Sequence, residues 1–178
     1  MAHILKVSEK KEEKFLRNKT KPFPFPAEAR RVRELVFDMK QAMQDANGIG
    51  LSANQIGLET RVFVAQVPDQ NGHLKFYAIF NPEVVRASEE TSALEEGCLS
   101  VPGLYGEVER PERITLAGFD KNGRPIKIKA WGLLARVFQH EIDHLNGKLF
   151  IDKAKHLHEA PTSERLKRQE EKIGGTRQ

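Results

Sequence analysis

The run His140-Glu141-Ile142-Asp143-His144 carries two imidazoles four residues apart. On a helix that spacing puts both on one face, within reach of a single metal ion. Glu141 then stands beside the ion without being needed as a ligand. Leu133 and Val137 continue the same stripe two turns and one turn earlier, so the imidazoles point into a buried face and need a partner there. A pair of core histidines bonded to backbone carbonyls has the same spacing, but the glutamate between them favours metal chemistry, because a carboxylate there can move a proton. A hydrolytic metal site usually takes three protein ligands and leaves one position for water, so a third ligand is required.

The chain has one cysteine, Cys98, within Glu95-Glu96-Gly97-Cys98-Leu99-Ser100. A lone cysteine excludes an internal disulfide framework and leaves packing, metal binding or nucleophilic chemistry as its uses. Gly97 allows that segment to approach another element closely. His3, His73, His156 and His158 fall in the amino-terminal arm, a turn and the region after the last helix, and read as surface histidines. An ordinary HExxH endopeptidase would need its third ligand carboxyl-terminal to the helix, where only His156 and His158 are available, and Cys98 would go unused. A purely structural metal module would close the site with four protein ligands. A further block, Gly48 to Gln55 (GIGLSANQ), has glycines that let a peptide backbone come close and an amide, Gln55, that is either a donor to substrate or a loop brace.

GIGLSANQ, EGCLS and HEIDH together resemble the three motifs of peptide deformylase, the first matching GxGLAAxQ with Ser52 in place of the first alanine. The similarity runs from about Phe15 to Asp152, and FLRNKTKPF resembles the opening segment of that family. The resemblance implies a hydrolase that removes the N-formyl group from the initiator methionine of new polypeptides, releasing formate. It implies that Cys98, His140 and His144 hold one divalent ion, iron(II) in that family, with zinc, nickel or cobalt able to replace it. A cysteine and two histidines do not by themselves choose among these ions. By the same resemblance Glu141 carries the proton, and the Gln55 side-chain amide and Leu99 backbone N–H face the oxyanion. Formyl-methionyl nascent chains are the implied partner, transient ribosome contact is compatible with it, and the expected compartment is a bacterial cytoplasm or an organelle. Gly50 is the choice for a backbone contact to the formylated residue, and Leu133 and Val137 for the walls of a methionine pocket, with Arg136 expected to point elsewhere. Asp143 is either a support for a ligand or a basic residue, or an exposed helical carboxylate, and stays outside the catalytic set.

These groups need elements to position them. With 178 residues, 39% hydrophobic and 30% charged, the chain has ordinary globular composition for one domain. No apolar run approaches the roughly 20 residues of a membrane span, and the start of the chain lacks a signal-peptide stretch. The net charge of +4 is spread among nearly as many acids as bases, so no nucleic-acid motif stands out. Residues 1–26 read as an extended arm, with Pro26 in the first turn of a helix over 27–46 that stops at Asn47-Gly48. Strands are expected at RVFVAQV, KFYAIFNPEVV and ERITLAGF, the last forming a hairpin through Lys121-Asn122-Gly123 with RPIKIKAWG. A second helix spans 133–145 and stops at Asn146-Gly147. The expected architecture is α+β, a single catalytic domain over 1–160 in which antiparallel sheets surround the HEIDH helix, followed by a solvated helix or frayed tail over 161–178; a monomer suffices.

Overall fold

The computed structural model describes residues 3–69 and 71–159; the expected tail over 161–178 lies outside the described residues. The described residues form three α-helices, α1 (Lys10–Leu16), α2 (Val32–Asp45) and α3 (Gly132–Leu145), and eight strands. The eight strands are β1 (Gly50–Ser52), β2 (Val62–Pro68), β3 (Leu74–Ala87), β4 (Thr91–Cys98), β5 (Val101–Pro111), β6 (Arg113–Phe119), β7 (Pro125–Trp131) and β8 (Lys155–Glu159). They form a five-stranded sheet in the order β1-β2-β3-β6-β7 and a three-stranded sheet β4-β5-β8. Every pairing between these strands is antiparallel, as an α+β fold requires. No helix among the described residues is long and apolar enough to cross a membrane.

The helix α3 is the centre of the arrangement. Ala135, Val137, Phe138, Ile142 and Leu145 join Phe63, Ile79 and Leu116 of the larger sheet in one apolar cluster. The remaining side of α3 is also enclosed, since Arg136, Glu141, Asp143 and His144 are all buried. A helix buried all round from Ala135 onward cannot be a surface amphipathic helix, and its polar residues must find partners inside the protein. It ends where the sequence predicts: Gly147 has φ +72° and packs so tightly on the Arg17 carbonyl that a Cβ would collide with it.

A second apolar cluster lies between α2 and the opposite face of the larger sheet, with Met39, Met43, Leu51, Val64 and Phe80 at its heart. The helix expected from residue 27 starts as α-helix at Val32, after a three-residue 3-10 turn over Ala29–Arg31. Phe23 and Phe25 pack edge-on against Phe80, 4.9 and 5.3 Å between ring centroids, and this anchors the chain ahead of the helix. The arm is also less extended than expected, because residues 10–16 form α1, whose Leu16 is fully buried. Strands β4, β5 and β8 are not among those the sequence pattern marks. In β5 the inward positions Gly106, Val108 and Arg110 include a glycine and an arginine, which hides the apolar alternation that marks a strand.

Candidate metal centre

The strand β4 ends at Cys98, and α3 presents His140 and His144 one turn apart, so the motif residues come from elements more than 40 positions apart in the chain. Their donor atoms converge. Cys98 Sγ lies 3.1 Å from His144 Nε2, the two Nε2 atoms are 3.2 Å apart, and the three ligand atoms all fall within 4.8 Å of one another. One thiolate and two imidazoles directed at one point suit a divalent transition metal and leave a fourth position open. His156 and His158, the alternative ligands, do not reach this point. They lie on the exposed β8, where His158 contacts Glu95 at 3.0 Å and stacks on Tyr105.

A buried ionic cluster supports His140 from behind. Its Nδ1 lies 3.0 Å from Glu96 Oε2. A carboxylate only accepts, so Nδ1 carries the proton and Nε2 is the nitrogen left to face Cys98 and His144. Glu96 also accepts from Arg110 Nε (2.6 Å) and Nη2 (2.9 Å) and from Arg136 Nη1 (2.7 Å). Burial alone would raise the Glu96 carboxyl, but Arg110 and His140 outweigh it and hold the group well below the usual carboxylate range. Asp143 belongs to the same cluster: it is buried and accepts from Arg110 Nη1 (2.8 Å) and Lys153 Nζ (2.7 Å). Of the two readings of Asp143, the exposed carboxylate is thereby excluded and the holder of basic residues is found.

The cluster shapes the electrostatics of the three candidate ligands. Burial pushes the Cys98 thiol up, but the neighbouring His144 and His140 imidazoles more than reverse this and favour the thiolate, the form that binds metal. Burial likewise opposes charge on His140, yet Cys98 and Glu96 push it up to about 10. Glu141 moves the other way from most carboxylates: burial raises it, against the pull of His140, His144 and Ser52. A carboxyl raised toward neutrality is suited to accept and return a proton.

These groups open onto a cavity of about 430 Å³. Gly50, Gln55, Leu99, Leu133 and Val137, singled out from the sequence, all line it. Val137 is buried in its wall, whereas Leu133 is half exposed at its edge. Arg136, expected to point elsewhere, lines the cavity too, but its guanidinium is committed to Glu96, the Val108 carbonyl and the Ser92 carbonyl. Gln55 sits in a 3-10 turn over Ala53–Ile56, where its Oε1 accepts from the Ser52 N–H and its Nε2 donates to Ser100 Oγ, 3.6 Å from Cys98 Sγ. Thus its amide donors face the centre because its oxygen is tied to the backbone.

Two participants are not marked by the motif pattern. Glu96 belongs to EGCLS, and a glutamate two residues before the cysteine is itself a candidate support for a ligand. Ser52, which stands in place of the motif's first alanine, has its Oγ 2.7 Å from Glu141 Oε2.

An antiparallel α+β fold wrapped around a helix with this centre has the groups that a metal-dependent hydrolase uses. A family model described as polypeptide deformylase matches residues 1–160, and the chain belongs to that family. Peptide deformylase of Rhizobium meliloti (strain 1021) is 51% identical over 121 residues, 68% of this chain and 70% of that one. Peptide deformylase 1 of Pseudomonas syringae pv. tomato is 41% identical over 139 residues, 78% and 81% of the two chains. Among solved structures, peptide deformylase from Thermotoga maritima aligns with a TM-score of 0.75 at 36% identity, covering 87% of this chain and 98% of that one. A probable peptide deformylase from synechococcus phage S-SSM7 aligns with a TM-score of 0.77 at 38% identity, covering 86% and 99%. The chain is accordingly an enzyme, a hydrolase that removes the formyl group from nascent peptides with the help of a catalytic metal ion.

Proposed function

We propose that Cys98, His140 and His144 hold one divalent ion, iron(II) as the native metal, and that Glu141 carries the proton in removing formyl from an N-terminal formyl-methionine. The observation that carries this reading is the convergence of the three donor atoms beside a buried glutamate, at the floor of a cavity. When bound, the ion supplies a Lewis acid for the formyl oxygen and makes water acidic enough to attack near neutral pH. Glu141 accepts the proton of the attacking water and returns it to the departing amine, so one carboxylate serves both halves of the reaction. The Gln55 side-chain amide and the Leu99 backbone N–H stabilise the oxyanion as it forms. Cys98 and Leu99 being adjacent, the ligand's position also sets that of the donor. Gly50 meets the backbone of the formylated residue, and Val137 with Leu133 forms the apolar side of the methionine pocket.

Residues 1–160 act as one catalytic unit, a monomer working on formyl-methionyl nascent chains in a bacterial cytoplasm with transient ribosome contact. Zinc, nickel or cobalt can replace iron in the same three-ligand site. The test is Glu141→Ala, assayed on formyl-Met peptides together with metal content. Full metal retention with nearly complete loss of turnover is expected, and turnover like that of the parent enzyme in a metal-loaded variant would remove Glu141 from this role.

A further inference from the structure

Ser52 stands where the resembling pattern GxGLAAxQ has alanine, and its hydroxyl is the polar group of β1. In β1, Gly50 and Ser52 lie two apart and therefore on one face of the strand, while Leu51 points the other way into the apolar cluster with Met39 and Met43. The face they share is turned toward Glu141. A Cβ at Gly50 would collide with Glu141 Oε1, and Ser52 Oγ is 2.7 Å from Glu141 Oε2 and 2.9 Å from the Glu141 carbonyl. The strand thus touches both carboxylate oxygens, one by close approach of a bare backbone and one through a hydroxyl.

Both partners are shut away from solvent: Ser52 is 0% exposed and Glu141 is 3% exposed. Among the described residues the Ser52 hydroxyl is the one hydrogen-bond donor to the Glu141 carboxylate. A hydroxyl has a single proton to donate, and the shorter of its two contacts is to the carboxylate. A buried carboxyl with one protein donor has its orientation set by that donor, since rotating away from it leaves a buried oxygen unsatisfied.

We propose that Ser52 is a positioning residue that holds Glu141 Oε2, so that Oε1, above Gly50, is the oxygen presented to the proton of the attacking water. The proposal rests on Glu141 as proton carrier. Ser52 touches neither the three ligand atoms nor the formyl group; its effect passes through Glu141. A hydrogen bond to a charged group of this kind corresponds to about a tenfold effect on the rate of a step that needs the group in place.

The test is a cycle of Ser52→Ala, Glu141→Asp and the double variant, each loaded with the same metal, with kcat, KM and metal content measured for every protein. Alanine is the residue of the family motif at this place, so Ser52→Ala should fold, and thermal unfolding checks that it does. Expected is a fall of about tenfold in kcat for Ser52→Ala, with KM within a factor of two and metal content unchanged. In the Glu141→Asp background, where the shortened carboxylate no longer reaches the hydroxyl, adding Ser52→Ala should change kcat by less than about twofold. Parent-like kcat in Ser52→Ala alongside a slow Glu141→Asp would overturn the role of Ser52 and leave Glu141 standing. An unimpaired Glu141→Asp would instead strike at the proton carrier itself. A tenfold loss that recurs in the Glu141→Asp background would show that Ser52 acts through packing and not through the carboxylate, and would equally overturn the proposal.

Discussion

Replacing Glu96 by glutamine tests whether the buried ionic cluster behind His140 both holds the fold together and prepares the metal ligand. The carboxylate receives two bonds from Arg110, one from Arg136 and one from His140 Nδ1. Removing one partner of a buried ion pair costs about 3–5 kcal/mol, because the other charge is stranded. Glutamine keeps the shape and one acceptor oxygen. Arg110 also keeps Asp143, and Arg136 keeps the Val108 and Ser92 carbonyls. The loss should therefore fall at the low end, about 3 kcal/mol, and for a chain of this size each kcal/mol moves the melting point by roughly 2–4 °C. Thermal unfolding of metal-free Glu96→Gln, followed by circular dichroism, should show a Tm about 6–12 °C below that of the metal-free parent. Because His140 loses the partner that orients its ring, metal affinity measured against a chromophoric chelator should fall by about 10–100-fold. A Tm within about 2 °C of the parent would refute the claim that these charges depend on Glu96, and an unchanged affinity would refute its link to the metal ligand.

Cys98→Ala should lower metal affinity by more than the roughly 10–100-fold expected for an outer partner, since it removes the proposed anionic ligand; full metal occupancy after dialysis against a weak chelator would contradict this. Gly50→Ala forces a Cβ into the Glu141 carboxylate; kcat should drop on the order of a hundredfold with metal content intact, and a parent-like kcat would show that the strand does not confine the carboxylate. Asp152 chelates Arg17 through both oxygens, at 2.7 and 2.6 Å, and accepts from the Leu149 N–H. Burial opposes its ionisation, but Arg17 and the Leu149 N–H outweigh it and hold the carboxyl below its ordinary value. A depressed carboxyl contributes stability above its unfolded pKa and loses it as the pH falls through the folded value. The gap between parent and Asp152→Asn in denaturant unfolding should thus be under about 1 kcal/mol for this half-exposed pair. It should be flat from about pH 7 to 5 and shrink below about pH 4; a gap that widens on acidification would reverse the assignment.

The histidine pair was legible in the sequence because helical spacing is local, whereas Cys98 and Gln55, far away in the chain, entered through the family resemblance. Helical spacing alone puts His140 and His144 on one face with Glu141 between them, and Asn146-Gly147 ends that helix at its observed place. The hairpin of β6 and β7 and the apolar strands β2 and β3 were equally readable, since their inward residues are hydrophobic at every second position or in a continuous run. Strands β4 and β5 escaped because Glu96 and Arg110 occupy their inward positions, and a pattern rule takes a charged residue as exposed until its partner is known.

That partner is supplied only by the tertiary structure. Arg110, Arg136 and His140 meet Glu96 from a second strand and a helix, and Lys153 reaches Asp143 from beyond the helix end. The same holds for Ser52. In the chain it differs from the family motif by one oxygen, but the pairing of β1 beside α3 brings that oxygen to within hydrogen-bond reach of a carboxylate 89 positions away. Residue type and spacing determine which groups can bind a metal or carry a proton, because those are properties of side chains and of helical geometry. Which charges are buried, what compensates them and which oxygen of Glu141 is left free depend on contacts between distant segments, and these exist only once the sheets have closed around α3.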